Sequence, residues 1–223
     1  TFTKSVPATG AVFSTPVTSI RVRIHTGDVR LAGTDDDVYL LYTGGTTGMP
    51  KGVMWRQEDV YFALAGGIDV FTGERVETPS QPSERIDATQ PSGLIMMPIP
   101  PLMHGAGQMS VLRCAFEGST AVITDLFDPA DVWRTVERER VNVLGVTGDA
   151  MARPLADKLE EMKDDVDISS LVSFSSTAAI FSQTVKEQLQ ALLPDYLVMT
   201  DAIGSTESGM NGIRVVQAGD APK

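Results

Sequence analysis

Short apolar runs separated by turn residues mark most of this chain, and their spacing changes character along it. Between Thr18 and Leu31, Ile20, Val22 and Ile24 alternate with Arg21 and Arg23, and a Thr26-Gly27-Asp28 turn precedes Val29 and Leu31. Alternation of period two with a polar face predicts a β-hairpin. Asp35 to Asp37 then lead into an apolar strand at Val38–Tyr42, which runs into a turn rich in Gly and Thr. Helical spacing of Val60, Phe62 and Leu64 predicts a helix over Gln57–Ala65. Residues 66–92 are rich in Gly, Pro, Ser and charge, which predicts a long surface excursion.

From Gly93 onward strands and helices alternate. Leu94–Ile99, Thr120–Thr124, Val141–Val146, Leu171–Ser175 and Leu197–Thr200 read as buried strands. Asp128-Pro129 is a helix start, with a capping side chain followed by proline at the first helical position. That helix is expected to reach about Arg140 and to bury Val132, Trp133 and Val136. A second helix is expected over Asp149–Met162. Thr184 and Glu187 have the spacing of a capping box for a third, ending near Leu193 before Pro194. The pattern predicts an α/β fold: a mostly parallel sheet flanked by helices. There is no internal repeat. The organisation expected is an unassigned segment at residues 1–34 and one α/β domain over residues 35–223.

Composition narrows the function. Across 223 residues, Lys and Arg total 18 against 29 Asp and Glu, a formal net charge of −11. Nucleic-acid surfaces need a basic face, so no nucleic-acid partner is expected. One cysteine, Cys114, and two histidines, His25 and His104, give neither an internal disulfide nor a zinc site. No run approaches the ~18 apolar residues of a membrane span; Pro98, Pro100 and Pro101 break the longest candidate. The first residues carry no apolar signal-peptide core, and a cytoplasmic protein is expected.

The chemistry concentrates in Tyr42-Thr43-Gly44-Gly45-Thr46-Thr47-Gly48-Met49-Pro50-Lys51-Gly52. Glycines let backbone N–H groups close on an anion, three threonines add hydroxyl donors, and Lys51 supplies positive charge. Following a strand, this is a phosphate cradle. It is not a Walker loop, because Pro50 precedes the lysine where that motif has glycine. The plainer alternative is a hairpin turn with an incidental lysine.

The string resembles the phosphate-binding loop of the adenylate-forming family, which includes acyl-CoA synthetases, peptide-synthetase adenylation domains and luciferases. Three further segments follow in that family's order. Pro101-Leu102-Met103-His104-Gly105 is similar to its histidine-bearing substrate motif. Ser175-Ser176-Thr177-Ala178-Ala179 resembles the strand-end loop that borders the adenine, and Ile203-Gly204-Ser205-Thr206-Glu207 the motif that holds AMP and metal. The resemblance spans about residues 35–212 and implies the family's large N-terminal domain. From Tyr42 to Trp55 the run is closer to bacterial fatty-acyl and steroid-side-chain CoA synthetases than to peptide-synthetase modules.

The resemblance implies a reaction: a fatty or steroid-side-chain carboxylic acid joins ATP as acyl-AMP, pyrophosphate leaves, and the CoA thiol takes the acyl group. ATP, Mg²⁺ and CoA are the cofactors implied. Thr43, Gly44, Gly45, Thr46, Thr47, Gly48 and Lys51 would hold phosphates. Thr177, Ala178, Ala179, Asp201, Ile203, Gly204 and Thr206 would surround the rest of the nucleotide. Glu207 would ligate the metal, and His104, Gly148 and Asp149 would border the acyl pocket. Lys51, Thr206, Glu207 and His104 form the implied catalytic set. Each has a plainer reading: Glu207 as a solvated carboxylate, Thr206 as a turn cap, His104 as a turn histidine, Asp149 as the cap of the next helix. Ile203 and Met103 stand where the family often carries aromatics. The family's ribose-binding aspartate, hinge and small lysine-bearing domain lie beyond the pattern matched here. The sequence therefore reads as the middle of an enzyme, expected to be inactive by itself. The alternatives are an inert nucleotide-binding module and a different adenylating enzyme of the same family. A serine hydrolase is the weaker rival, since no G-x-S-x-G occurs and no histidine follows Ser205 or Ser208, as a Ser-Asp-His order requires.

Overall fold

The computed structural model describes residues 20–23, 36–44, 49–65, 67, 74–78, 81 and 93–216. The strands β4 (Ile95–Pro98), β5 (Thr120–Ile123), β6 (Val143–Val146), β7 (Ser173–Thr177) and β8 (Val198–Ser205) form the parallel centre of a seven-stranded sheet. Its edges are antiparallel: β1 (Ile20–Arg23) on β5, and β9 (Gly209–Val216) on β8. The order is β1-β5-β4-β6-β7-β8-β9. Parallel neighbours require crossovers, and helices supply them: α2 (Gly105–Glu117), α3 (Pro129–Glu139), α4 (Gly148–Met162) and α5 (Gln183–Leu192). A second, two-stranded sheet pairs β2 (Val38–Thr43) with β3 (Lys51–Arg56). It runs into a short helix, α1 (Gln57–Val60), and a π-helical turn at Tyr61–Ala65.

The α/β expectation holds, and most of its strands lie within two or three residues of their predicted bounds. Asp128 caps α3 by accepting from Asp131 N at 2.9 Å, and Val132, Trp133 and Val136 are fully buried. They pack with Leu144 and Phe174 from the sheet and with Leu155, Leu159, Val185 and Leu189 from α4 and α5. Of the predicted N-terminal hairpin, only Ile20–Arg23 lies within the described residues. It is a strand of the main sheet, so the described part of the 1–34 segment joins the α/β core. Most of the 66–92 excursion lies outside the described residues.

Four details differ from the sequence expectation. The helix expected over Gln57–Ala65 is α1 followed by the π turn. Helix α2 has no predicted counterpart, because it opens on Gly105-Ala106-Gly107, a poor helix former in isolation. Packing supplies the reason for Gly107: a Cβ there would sit 2.4 Å from Pro100 O. Strand β9 has no predicted counterpart; Asn211-Gly212 lies in its middle, and it gains its order from β8. The predicted capping box does not form. Ser182 is the N-cap of α5, which leaves Thr184 exposed inside the helix, while Gln183 Nε2 donates to Glu187 Oε1 at 3.0 Å.

Cys114 lies buried on the inner face of α2. Burial, helped by the nearby Glu117 charge, pushes its thiol up to about 12. The thiolate is the nucleophile, so the folded protein should resist alkylation. Iodoacetamide at pH 8 is expected to label native protein at least about 100-fold more slowly than urea-unfolded protein; equal rates would place Cys114 at an open surface.

Candidate active site at the carboxyl edge of the sheet

In open α/β sheets, ligands bind beyond the carboxyl ends of the parallel strands, where the strand order reverses. The loops there carry three of the four sequence motifs, and the β2–β3 hairpin brings the fourth. Thr43 and Lys51 face each other across the hairpin mouth, with Thr43 Oγ1 donating to Lys51 O at 3.4 Å. Gly44 and Lys51 are exposed. Gly45, Thr46, Thr47 and Gly48, the predicted loop tip, lie outside the described residues.

Strand alternation gives the hairpin two faces. Tyr39, Leu41 and Trp55 turn inward, Tyr39 and Trp55 against a small core of Val60 and Met109. Tyr39 OH donates to Gln108 Oε1 on α2. Trp55 Nε1 donates to the carbonyl of Thr206 at 2.7 Å, a bond between residues 151 positions apart. A Cβ built on Gly105 would meet Leu41 Cδ2 at 3.1 Å and Thr206 Oγ1 at 3.3 Å. The phosphate-loop hairpin, the His104-Gly105 turn and the Thr206-Glu207 turn therefore share one site.

Ser205, Thr206, Glu207 and Ser208 make the tight β8–β9 turn. Ser205 caps it: its hydroxyl accepts from Ser208 N at 3.2 Å and lies 3.0 Å from Ser208 Oγ. The turn-capping alternative for Thr206 is thus filled by Ser205. Glu207 is exposed, and Ile203 is 71% exposed at the same end of β8. His104 is the N-cap of α2, its Nδ1 accepting from Ala106 N at 3.2 Å. That bond puts the proton of a neutral imidazole on Nε2, the nitrogen left to face solvent. Beside this turn a shallow cleft of about 100 Å³ opens among Pro98, Ile99, Leu102, Phe127 and Met151.

The strand-end loop after β7 is tied from below. Ala178 adopts φ +63°, and Ala179 N donates to Thr177 O at 2.9 Å. Gly148 N donates to the buried Ser176 Oγ at 3.0 Å. Gly148 has φ +50°, and a Cβ on it would stand 2.4 Å from Ile180 O, so both conformation and space require glycine. Asp149 N donates to that same Ile180 O at 2.8 Å. Its carboxylate accepts from Ser182 N at 2.8 Å and pairs with Arg153 at 3.3 Å. Burial opposes ionisation of Asp149, but the Ser182 hydrogen bonds and the Arg153 charge outweigh it and hold the carboxyl below its ordinary value. Asp149 does act as a cap, though not of its own helix. Thr147 occupies the N-cap position of α4, and Asp149 reaches across to the start of α5.

Asp201 is committed to a partner. Lys186 Nζ lies 2.6 Å from its Oδ2. The parts played by Lys186, Ser176 and Trp55 are not legible in the sequence, because they are contacts with residues distant along the chain. Among the described residues no group of three or more His, Cys, Asp and Glu side chains could hold a metal ion. No helix among them is long and apolar enough to cross a membrane.

Comparison with known proteins settles the family. The family model described as "AMP-binding enzyme" matches residues 6–223. The chain belongs to the AMP-binding enzyme family. Among its relatives, this AMP-binding chain is 51% identical over 187 residues to the medium/long-chain-fatty-acid–CoA/3-oxocholest-4-en-26-oate–CoA ligase of Mycobacterium marinum, covering 83% of this chain and 33% of that protein. It is 44% identical over 188 residues to the 3-oxocholest-4-en-26-oate–CoA ligase of Rhodococcus rhodochrous, covering 82% and 33%. The chain spans about a third of the length of these curated relatives. The fold matches the N-terminal domain of FACL13 from Mycobacterium tuberculosis with a TM-score of 0.60 at 22% identity, covering 80% of this chain and 39% of that one. It also matches the O-succinylbenzoate coenzyme A synthetase of Bacillus subtilis in complex with AMP, with a TM-score of 0.59 at 21% identity, covering 82% and 33%.

Proposed function

We propose that this AMP-binding enzyme activates a carboxylic acid with ATP, releasing pyrophosphate, and passes the acyl group from acyl-AMP to the thiol of CoA. The observation that carries this reading is the convergence of Lys51's hairpin, Gly105 and Thr206, joined by the Trp55–Thr206 bond. The names of the mycobacterial and rhodococcal relatives favour a fatty acid or a steroid-side-chain acid as substrate. ATP and CoA are supplied in the cytoplasm, where we place the reaction.

A carboxylate is a weak nucleophile and a triphosphate repels it, so the residues present must offset phosphate charge and align the attack. Lys51 and the N–H groups of residues 43–48 hold the departing phosphates. The Thr206 hydroxyl, directed toward the Gly105 turn, orients the α-phosphate. Backbone of Thr177, Ala178 and Ala179 flanks the adenine on one side, with Ile203 and Gly204 on the other. His104 and the Gly148-Asp149 turn border the acyl side. An exposed carboxylate beside a hydroxyl suits Mg²⁺, which keeps several waters and binds through one or two carboxylates plus substrate phosphates; Glu207 with Thr206 offers that set. When bound, the ion supplies Lewis-acid charge at the phosphates.

Titration calorimetry tests the phosphate assignment. Lys51→Ala is expected to weaken Mg·ATP binding by about 1.5–3 kcal/mol, the value of charge-assisted hydrogen bonds. Identical titrations for the two proteins would remove Lys51 from the phosphate site.

A further inference from the structure

Lys186 is the only charged side chain among the described residues that is buried, at 6% exposure. Its Nζ lies 2.6 Å from Asp201 Oδ2 and 5.0 Å from the centroid of the Phe181 ring. Burying an ion pair carries a desolvation cost that hydrophobic packing would avoid, so its position is informative. Lys186 sits in the first turn of α5, and its backbone N donates to Ser182 O at 3.0 Å. Phe181, just before that helix, stacks on Phe174 of β7. Asp201 lies on β8 in register with Ser176, whose hydroxyl holds Gly148 N, and two residues before Ile203. The pair therefore links the start of α5, and the Ala178–Ile180 loop that feeds it, to β8 just below Ile203.

We propose that Lys186 and Asp201 are a positioning pair: they fix the spacing between the Ala178–Ile180 loop and Ile203, and through it the preference for adenine over other bases. This rests on the nucleotide reading above, and it assigns Asp201 an action through Lys186.

The test uses Lys186→Met, Asp201→Asn and the double variant. The double variant removes both charges and leaves no buried ion unpaired, so it is the arm that keeps its fold. Amide hydrogen exchange is read at Asp149, Ala179 and Ser182, whose N–H groups tie the loop, with α3 as the control. Binding of Mg·ATP and Mg·GTP is read in parallel. In the double variant the loop amides are expected to exchange about tenfold faster with α3 unchanged, and the ATP-over-GTP preference to fall about tenfold. Single variants that fold should lose at least as much as the double, each to a similar extent. Wild-type exchange and base preference in the double variant would overturn the proposal. So would loss of ATP binding on Asp201→Asn with none on Lys186→Met, which would place Asp201 on the nucleotide. If the unaltered protein binds neither nucleotide, the functional reading fails, and the exchange arm still decides whether the pair holds the loop.

Discussion

Assayed within a chain of its relatives' full length, Glu207→Gln should fold as the unaltered protein does and release pyrophosphate from ATP and a carboxylic acid on the order of 100-fold more slowly, since metal charge at the transferring phosphate is worth several kcal/mol. The substitution keeps side-chain volume and removes one charge. Glu207 is exposed at the tip of the β8–β9 turn, whose geometry is held by Ser205, Ser208 and Asn211, so no structural bond depends on its carboxylate. Circular dichroism should therefore be unchanged. A second readout isolates the metal: ATP affinity should rise with Mg²⁺ in the unaltered protein and lose that dependence in the variant. Pyrophosphate release and Mg²⁺ dependence equal to those of the unaltered protein would assign Glu207 to the solvated surface.

Trp133→Ala should be the most destabilising single change in the core, costing about 3–5 kcal/mol from lost burial and the cavity left behind. Trp133 has no exposed surface and lies where α3 packs on α4. Its Nε1 donates to Leu155 O at 2.9 Å, so truncation also deprives a buried carbonyl of a partner. Trp133→Phe separates the two effects: it keeps most of the apolar volume and should lose about 1–3 kcal/mol for the smaller ring and the missing indole hydrogen bond, because Leu155 O keeps its acceptor role inside α4. Against a total stability of roughly 5–15 kcal/mol, the alanine variant loses a large share. Urea unfolding followed by far-ultraviolet circular dichroism gives the values. An alanine variant within about 1 kcal/mol of the unaltered protein would mean that the α3–α4 contact contributes little.

Strands β4 to β8 and helices α3 to α5 are legible in the sequence because their signals are local. Continuous apolar runs read as strands buried on both faces, Asp128-Pro129 marks a helix start, and Pro194 lies just past a helix end. The family is legible for the same reason, since the string from Tyr42 to Gly52 that carries the resemblance is contiguous. What tertiary structure decided depends on partners far along the chain. Helix α2 begins with glycines that disfavour a helix locally but are required by the Pro100 carbonyl against Gly107. Strand β9 owes its order to β8, and β3 to β2. Asp149 looks like the cap of its own helix, and only the fold turns it toward Ser182. Lys186, inside a helix that the sequence predicts, becomes the buried partner of Asp201 fifteen positions away. Hydrophobic period reports how one segment meets water. It carries no record of which distant side chain meets it in the core, and the spacing of the candidate site is set by those meetings.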